Sequence, residues 1–514
     1  MAFERPGVYV QETLNPIQPT TGPNSNTIGA FIGPNDRGPL APTLVTSWSD
    51  YVNKYGSWNK TASNDLPLAV YMFFANGGRQ TYVDRVVGAG AAAGSRTLND
   101  RAGSPQATLT LTATDVGAWS VNSGSYYGIS FSITDSRKVG YFDLTVYFGG
   151  ITSAFIVERF TDLSMSALDP RYAISVINAG SAYLVASDAG STSTGVTRNP
   201  SLLAVASGSL TGGLDGATVT SITDFSAYDV VTNSLLLNAA GWTDAVTVNA
   251  AIAYAADRGD VFVIVDGVAP SSSTESVSTT TTTQITTAAT YTVTSYAAVY
   301  YPRITISDPT LGVGAATGAT KLVGPGGAVA GLFVSTDNFR GVFKAPAGLQ
   351  ARIANAVAVP TLTNAQLDDL NSATAAVNAL KFVPGSGIVV MGSRTLNPSY
   401  IDKYVPVRRT LIYLEKALSE ITQFAIFEPN DEALWRRLSA TVSSFLTNFW
   451  AQGGLRGATP QQAFFVKVDE TINTPATIDN GEVHIEIGVA LQRPAEFVVI
   501  KIGQFDGGTT VTVA

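Results

Sequence analysis

Hydrophobic and polar positions along this chain follow two periods, and the dominant period changes with position. Near the start, Val8-Tyr9-Val10-Gln11-Glu12 reads as a short strand, bounded by Pro6-Gly7 before it and by Asn15-Pro16 and Pro19 after it. Proline offers no N–H and fixes φ, so it punctuates a ladder on both sides. A strand isolated in this way has no neighbour along the chain for its N–H and C=O groups. Asn26 to Gly33 (NTIGAFIG) is a compact apolar strand stopped by Pro34. Residues 66–78 then carry a helical pattern, LPLAVYMFFANGG, with Gly77-Gly78 as the stop, and Gln80 to Val87 returns to a strand.

The texture changes from about residue 88 to 212. After GAGAAAGS, expected to be a flexible joint, come strictly alternating runs such as Ala107 to Thr112 and Tyr141 to Tyr147. Period-two alternation bounded by Gly, Asn and Ser predicts half-buried strands. An inserted β-rich domain over 88–213 is the reading, closing at a second glycine joint, Thr211-Gly212-Gly213.

From 214 the first texture resumes. Asp229 to Leu237 reads as an apolar strand, Val246 to Arg258 as a helix stopped by Gly259, and Val261 to Val265 as a strand buried on both faces. Strand, helix and apolar strand in that order predict βαβ units in a largely parallel sheet. The Ser/Thr run from 271 to 290 has too little apolar content for a core and is expected to be an exposed, mobile excursion. Ala297 to Tyr301 is another buried strand. Thr363 and Gln366 fit a capping box opening a helix whose face would carry Leu367, Leu370, Thr374 and Val377, before Pro384-Gly385 and a strand from Ile388 to Met391.

The last hundred residues are the most regular. Pro406 opens a helix with Leu411, Leu414, Leu418 and Ile421 on one stripe. Asn430 is expected to cap a second helix that buries Leu434, Leu438, Val442, Phe445 and Phe449 and ends at Gly453-Gly454. Strands over Ala463 to Val468 and Glu482 to Val489 follow. A final strand contains Phe497, Val498, Val499, Ile500, Lys501 and Ile502, so both ends of the chain read as strand-forming arms.

Composition narrows the function. At 514 residues the chain exceeds the roughly 250–300 residues of a single core, so several domains are expected. Charged residues make up only 14%, against roughly 25% in ordinary soluble domains, which suits burial against other subunits. A net charge of −8 with no basic run argues against nucleic acid as a partner. Without cysteine there are no disulfides, thiolate nucleophiles or Cys-ligated zinc. Glu4, Arg5 and Pro6 stand where a leader needs an apolar stretch, and no apolar run nears the ~20 residues of a membrane span; synthesis and folding in the producer's cytoplasm are expected.

Chemistry-bearing motifs are few. Gly88 to Ala93 satisfies G-x-G-x-x-A, but no helix follows to aim its N-terminus at a pyrophosphate, so a domain linker is the better reading. Leu322 to Gly331 is glycine-rich without the Lys-Ser/Thr ending of a phosphate loop, which leaves close helix packing. His484, the single histidine, shares a strand face with Glu486 and reads as a surface or interface residue. No catalytic residue, metal site or cofactor is assigned. Arg408, Arg409 and Lys416 on the first C-terminal helix form either a solvated face paired with Glu415 and Glu420 or a face for an acidic partner.

Several of these stretches together resemble contractile tail sheath proteins of phages and related injection systems. They are PGVYVQE, Thr27 to Gly33, Val407 to Glu415, Phe427 to Asp431, Gly457 to Pro460 and Arg493 to Phe497. The match is densest over about 400–505, good up to about 87, looser over 214–400, and absent from the β-rich insert and the threonine run. The resemblance implies a multidomain α/β fold: a subtilisin-like α/β core without protease chemistry, an α+β C-terminal domain, an inserted β-rich domain and extended arms. The corresponding divisions are an arm over 1–22, core over 23–87 and 214–400, insert over 88–213, a tube-facing domain over 401–495 and a linking strand over 496–514. It further implies a structural subunit, not an enzyme, that polymerises as a helical sheath of stacked hexameric rings and contracts to drive an inner tube through a cell envelope.

On that basis the expected partners are other copies of the chain, the inner tail tube protein, and baseplate and tail terminator proteins, with no nucleic acid and no membrane insertion. The expected location is the virion tail, assembled in the host bacterial cytoplasm. Val8 to Glu12 and Phe497 to Ile502 would pair in neighbouring subunits, while Arg408, Arg409 and Lys416 are the candidate tube contacts. A sheath from a non-phage injection system, a degenerate α/β hydrolase and a β-rich surface adhesin are the competing readings.

Overall fold

The computed structural model of the chain describes residues 27–59, 63–123, 127–310 and 319–496. The chain divides into two compact units. Of the described residues, those within 27–339 and 346–403 form one, and 340–345 with 404–496 form the other.

The larger unit is organised by an eight-stranded sheet. Its order is Gly387–Val390, Val377–Val383, Ala297–Tyr301, Val261–Val265, Leu235–Ala239, Ile28–Pro34, Thr81–Val86 and Thr43–Val45. The six inner strands are parallel and the outermost strand at each edge is antiparallel. Three consecutive central strands, LLLNA, VFVIV and AAVYY, are buried at every position, as expected of strands covered on both faces. The helix Ala245–Arg258 connects two of them; Asp244 caps its start, accepting from Thr247 N, and Gly259 ends it in the left-handed region. The strand expected from Asp229 begins only at Leu235, because 226–230 forms a 3-10 turn with Tyr228 buried.

The other face is covered by helices Asp65–Ala75 and Gly326–Arg340, and here the glycines of LVGPGGAVAG find their reason. A Cβ on Gly327 would lie 2.2 Å from the Ala69 carbonyl oxygen, and one on Gly331 would lie 2.5 Å from that of Phe73. The two helices therefore meet backbone to backbone, which only glycine permits.

Two expectations from the sequence fail in this unit. The Ser/Thr run contains a regular helix, Val277–Ala288, with Ser276 capping its start. Its inner face buries Thr280, Thr281, Gln284 and Ala288, and Val277 and Ile285 pack on the core. The polar oxygens of this face find partners: Gln284 Oε1 accepts from Val268 N at 2.8 Å, Thr280 Oγ1 donates to Ser276 O, and Thr281 Oγ1 lies 3.2 Å from the Tyr301 hydroxyl. Second, the helix opened by the Thr363–Gln366 capping box ends at Ser372, and Val377 already belongs to a central strand. The period-3.6 stripe through Thr374 and Val377 crossed a helix–strand boundary.

The insert has its own core. Strands Ser95–Asn99, Ala107–Ala113 and Leu184–Asp188 form one three-stranded sheet, and Ile129–Asp135, Phe142–Phe148 and Ile156–Leu163 form another. Alternate residues of both, with Trp119, Met165 and Ile177, make a cluster separate from that of the large sheet.

In the C-terminal unit, helices Val405–Ile421 and Glu432–Ala451 supply most of a cluster comprising Val342, Leu414, Val442, Leu446, Phe449 and Leu455. Phe464–Lys467 and Glu486–Val489 form an antiparallel pair. Asp431, not Asn430, caps the second helix, accepting from Leu434 N. Asn430 instead accepts from Trp435 Nε1 and donates to Glu482 O, tying the helix start to a distant loop.

Two outcomes test this description. Gly327→Ala should lower stability by about 1–3 kcal/mol through overpacking, whereas Gly103→Ala, which meets open space, should stay within about 0.5 kcal/mol, both read from denaturant unfolding. Asp84 is 6% exposed on the strand Thr81–Val86; burial, reinforced by the charge of Asp224, lifts its pKa to about 7. The folded chain then holds a proton that the unfolded chain has released, so stability present at about pH 4 falls as pH rises to about 7. Asp84→Asn should flatten that slope in melting curves taken across this range.

Candidate functional site

Two places were candidates for function: a cleft with chemistry at the carboxyl end of the parallel strands, and surfaces for assembly. At the carboxyl end, where open α/β sheets usually bind ligands, Asp266 is 1% exposed. Its carboxylate accepts from Gly326 N at 2.6 Å, Gly241 N at 3.0 Å and Asn238 Nδ2 at 3.3 Å. The group is thus engaged in holding the first turn of Gly326–Arg340, where the helix dipole favours an anion. Arg303 donates to Gly267 O and Gly241 O beside it. This is a structural polar knot that no sequence motif announced.

His484 belongs to the C-terminal unit and precedes the strand on which it was expected, since that strand starts at Glu486. Its backbone N–H donates to Asn473 Oδ1, and its half-exposed ring sits 3.0 Å from Glu482 Oε2. Among the described residues no three His, Cys, Asp or Glu side chains gather in a way that could hold a metal ion. Among them, too, no helix is long and apolar enough to cross a membrane.

The cationic helix differs from expectation. Val405–Ile421 buries Val405, Pro406, Val407, Arg408, Arg409, Thr410, Ile412 and Leu414, so its first turns are covered all round. Arg408 and Arg409 are each 3% exposed, and the solvated face read from sequence does not exist at these two positions. Lys416, two turns on, is half-buried. The stripe Leu411, Leu418 and Ile421 is likewise only half-buried, with Ile412 and Leu414 taking the core positions. Between the two helices, Phe427 is 88% exposed on a backbone with φ of 64°. Val8, Tyr9, Val10, Gln11, Glu12, Phe497, Val498, Val499, Ile500, Lys501 and Ile502 lie outside the described residues.

The junction of core and insert is more specific than two flexible joints. The two glycine segments pair with each other: Ala92 and Leu214 exchange both backbone bonds at 2.9 Å, Ser95 and Thr211 exchange theirs at 2.8 and 3.1 Å, and Gly88 N donates to Asp215 O. A Cβ on Gly88 would fall 1.6 Å from Ala217 O, and one on Gly213 would fall 2.5 Å from Ser120 Oγ, so these two glycines serve close approach. Two core arginines then grip the insert. Arg85, 3% exposed, donates to the carbonyls of Asn35 at 2.7 Å, Gly38 at 3.2 Å, Asp36 at 2.7 Å and Val116 at 2.9 Å. Burial pulls its pKa down, and the carboxylates of Asp115, Asp215 and Asp36 act against that. The Arg37 guanidinium lies 4.2 Å from the Tyr183 ring centre and 5.3 Å from that of Trp119, and it donates to Ala182 O. The sequence signal was present but overlooked: a charged pair, Asp84-Arg85, inside an otherwise apolar strand that leads into the insert.

Against this geometry, the fold is that of contractile sheath subunits. It matches the sheath of an extracellular contractile injection system, the PVC sheath complex in its contracted state, with a TM-score of 0.55 at 21% identity over 98% of both chains. The helical sheath of the anti-feeding prophage in its contracted state gives 0.55 at 20% identity, over 98% of this chain and all of that one. The sheath tail protein Lin1278 of Listeria innocua gives 0.53 at 14% identity, over 92% and 96%. Residues 400–504 match the phage tail sheath C-terminal domain family. The tail sheath protein of Vibrio phage KVP40 is 30% identical over 180 residues, which is 34% of this chain and 25% of that protein's length.

Removing the grip should loosen the insert. Arg85→Met removes this donor from the buried carbonyls of Asn35, Asp36 and Gly38, each costing about 1–3 kcal/mol, while Val116 O keeps the Trp119 indole N–H. Cleavage within 88–94 and 211–217 under limited proteolysis should accelerate at least tenfold, with Arg37→Ala giving a smaller increase.

Proposed function

We propose that the chain is the structural subunit of a contractile tail sheath. Copies polymerise as a helical sheath of stacked hexameric rings around an inner tube, and contraction drives that tube through the envelope of a target cell. The observation that carries this reading is a phage tail sheath C-terminal domain on a chain whose fold resembles sheath subunits along nearly its whole length. Both arms pair by strand addition in adjoining copies, where main-chain ladders hold subunits together while the packing between them changes. A head-to-tail operation that does not close generates the helical filament. Surface newly buried between subunits on contraction supplies the free energy, so no nucleotide is needed.

The parallel sheet with helices on both faces fits a subtilisin-like core that serves as scaffold and performs no catalysis; Asp266 is already committed to a helix start. Partners on this reading are the chain itself, the inner tube protein, and baseplate and terminator proteins, in a virion tail assembled in the bacterial cytoplasm. Of the three cations singled out, Lys416 is half-buried where Arg408 and Arg409 are buried, which supports it over them as the contact to an acidic tube. Likeness to injection-system sheaths favours a second reading, the same device serving a non-phage particle.

Purified chain viewed in negative stain should form long ribbed cylinders. Deleting residues 1–20, or ending the chain after Glu496, should leave helical content unchanged and abolish long cylinders at concentrations where the parent assembles. Normal assembly of the truncated chains would reject arm exchange.

A further inference from the structure

The helix Val277–Ala288 carries an exposed face with an unusual chemistry. Ser278, Thr279, Thr282, Thr283 and Thr286 all face solvent. A solvent-facing helix side is ordinarily lined by Lys and Glu, yet no charged residue occurs between Glu275 and Arg303. At the chain's 14% charge density, a segment of this length would carry about four. Threonine is also a weak helix former, so helix stability does not account for the choice.

The hydroxyls are already spent. Thr282, Thr283 and Thr286 donate to the carbonyls of Ser278, Thr279 and Thr282, each at 3.1 Å. With that bond made, the face presents methyl groups and weak acceptors, which are cheaper to desolvate than ammonium or carboxylate groups.

The neighbouring helix Ala245–Arg258 continues the surface. It has no charge before Asp257. Its Asn249 ties the two elements together, donating to Thr290 O at 3.2 Å and accepting from Thr292 N at 2.7 Å. Close to that tie on either element, Val246 and Val293 are each 57% exposed. Asp244, Asp257 and Glu275, and on the other side Asp368 and Asp369 of helix Asn364–Ser372, which packs against Val277–Ala288, mark where charge returns. An uncharged centre with a charged rim is the anatomy of a protein–protein interface.

We infer that the joint outer face of Val277–Ala288 and Ala245–Arg258 is a contact surface between copies of this chain. The inference rests on the sheath reading. Charge selects the occupant: each copy carries −8, so two copies approach at least electrostatic cost through a face that adds none. Small side chains let a facing element come close, and a polymer made of one chain has to find its partner surface on itself.

The absence of cysteine from the sequence supplies the test. Thr283→Cys places a single thiol at the centre of the face. Its maleimide labelling should be at least tenfold slower in polymer of the purified chain than in monomer. Labelling within twofold in the two states would overturn the inference, and so would protection that appears only in complete particles containing other proteins. Independently, Thr282→Glu with Thr286→Glu should reduce polymer yield at least tenfold without moving the monomer's melting temperature, while the corresponding serine pair assembles normally. Unimpaired assembly of the glutamate pair would likewise overturn it. Failure of the parent chain to polymerise at all would strike the sheath reading first, and this inference with it.

Discussion

The pairing of Ile28–Pro34 with strands on either side of it is the constraint on which the larger unit depends. It lies between Thr81–Val86 and Leu235–Ala239, parallel to both, so the sheet must join segments separated by the whole insert. Long-range parallel pairing forms only if the intervening chain leaves and returns at one place. The segments around Gly88 and Gly213 meet this requirement by bonding to each other at the foot of the insert. Arg85 then ties the departing strand, the 35–38 loop and Val116 of the insert together with a single side chain.

This arrangement has a mechanical consequence for the insert. A domain carried on flexible joints would absorb motion of the core, whereas one zipped along its base and gripped by two buried arginines follows that motion. Arg37, held between Tyr183 and the indole of Trp119, adds a lateral tie that plain chain connectivity would not supply. The insert therefore belongs mechanically to the sheet from which it emerges. The backbone contact of Gly327 with Ala69, and that of Gly331 with Phe73, stiffens one helical layer in the same way.

The other helical layer is chemically different. Along Val277–Ala288, and along Ala245–Arg258 as far as Asp257, its exposed residues are serine, threonine, alanine and valine, and the hydroxyls of Thr282, Thr283 and Thr286 bond within their own helix. One layer is thus specialised for packing within the subunit, and the other is suited to packing between subunits. The low overall charge that first pointed towards assembly is not spread evenly, because the longest uncharged stretch coincides with an exposed helix.

Sequence alone determined the elements whose signals are local. VFVIV could only be a doubly buried strand, the Thr363–Gln366 box opened its helix as expected, and Gly259 ended another, since periodicity and capping act within a few residues. The dense C-terminal motifs were equally legible. Tertiary structure decided what depends on partners far along the chain. The threonine run became a helix with a buried face, where Val268 and Tyr301 engage the Gln284 carbonyl oxygen and the Thr281 hydroxyl. Arg408 and Arg409 were buried although charge alone would have left them in water. Asn430 yielded the cap to Asp431 because Trp435 and Glu482 claimed its amide. In each case the burial or bonding of a polar side chain was settled by an acceptor, donor or packing surface that no short window of sequence contains.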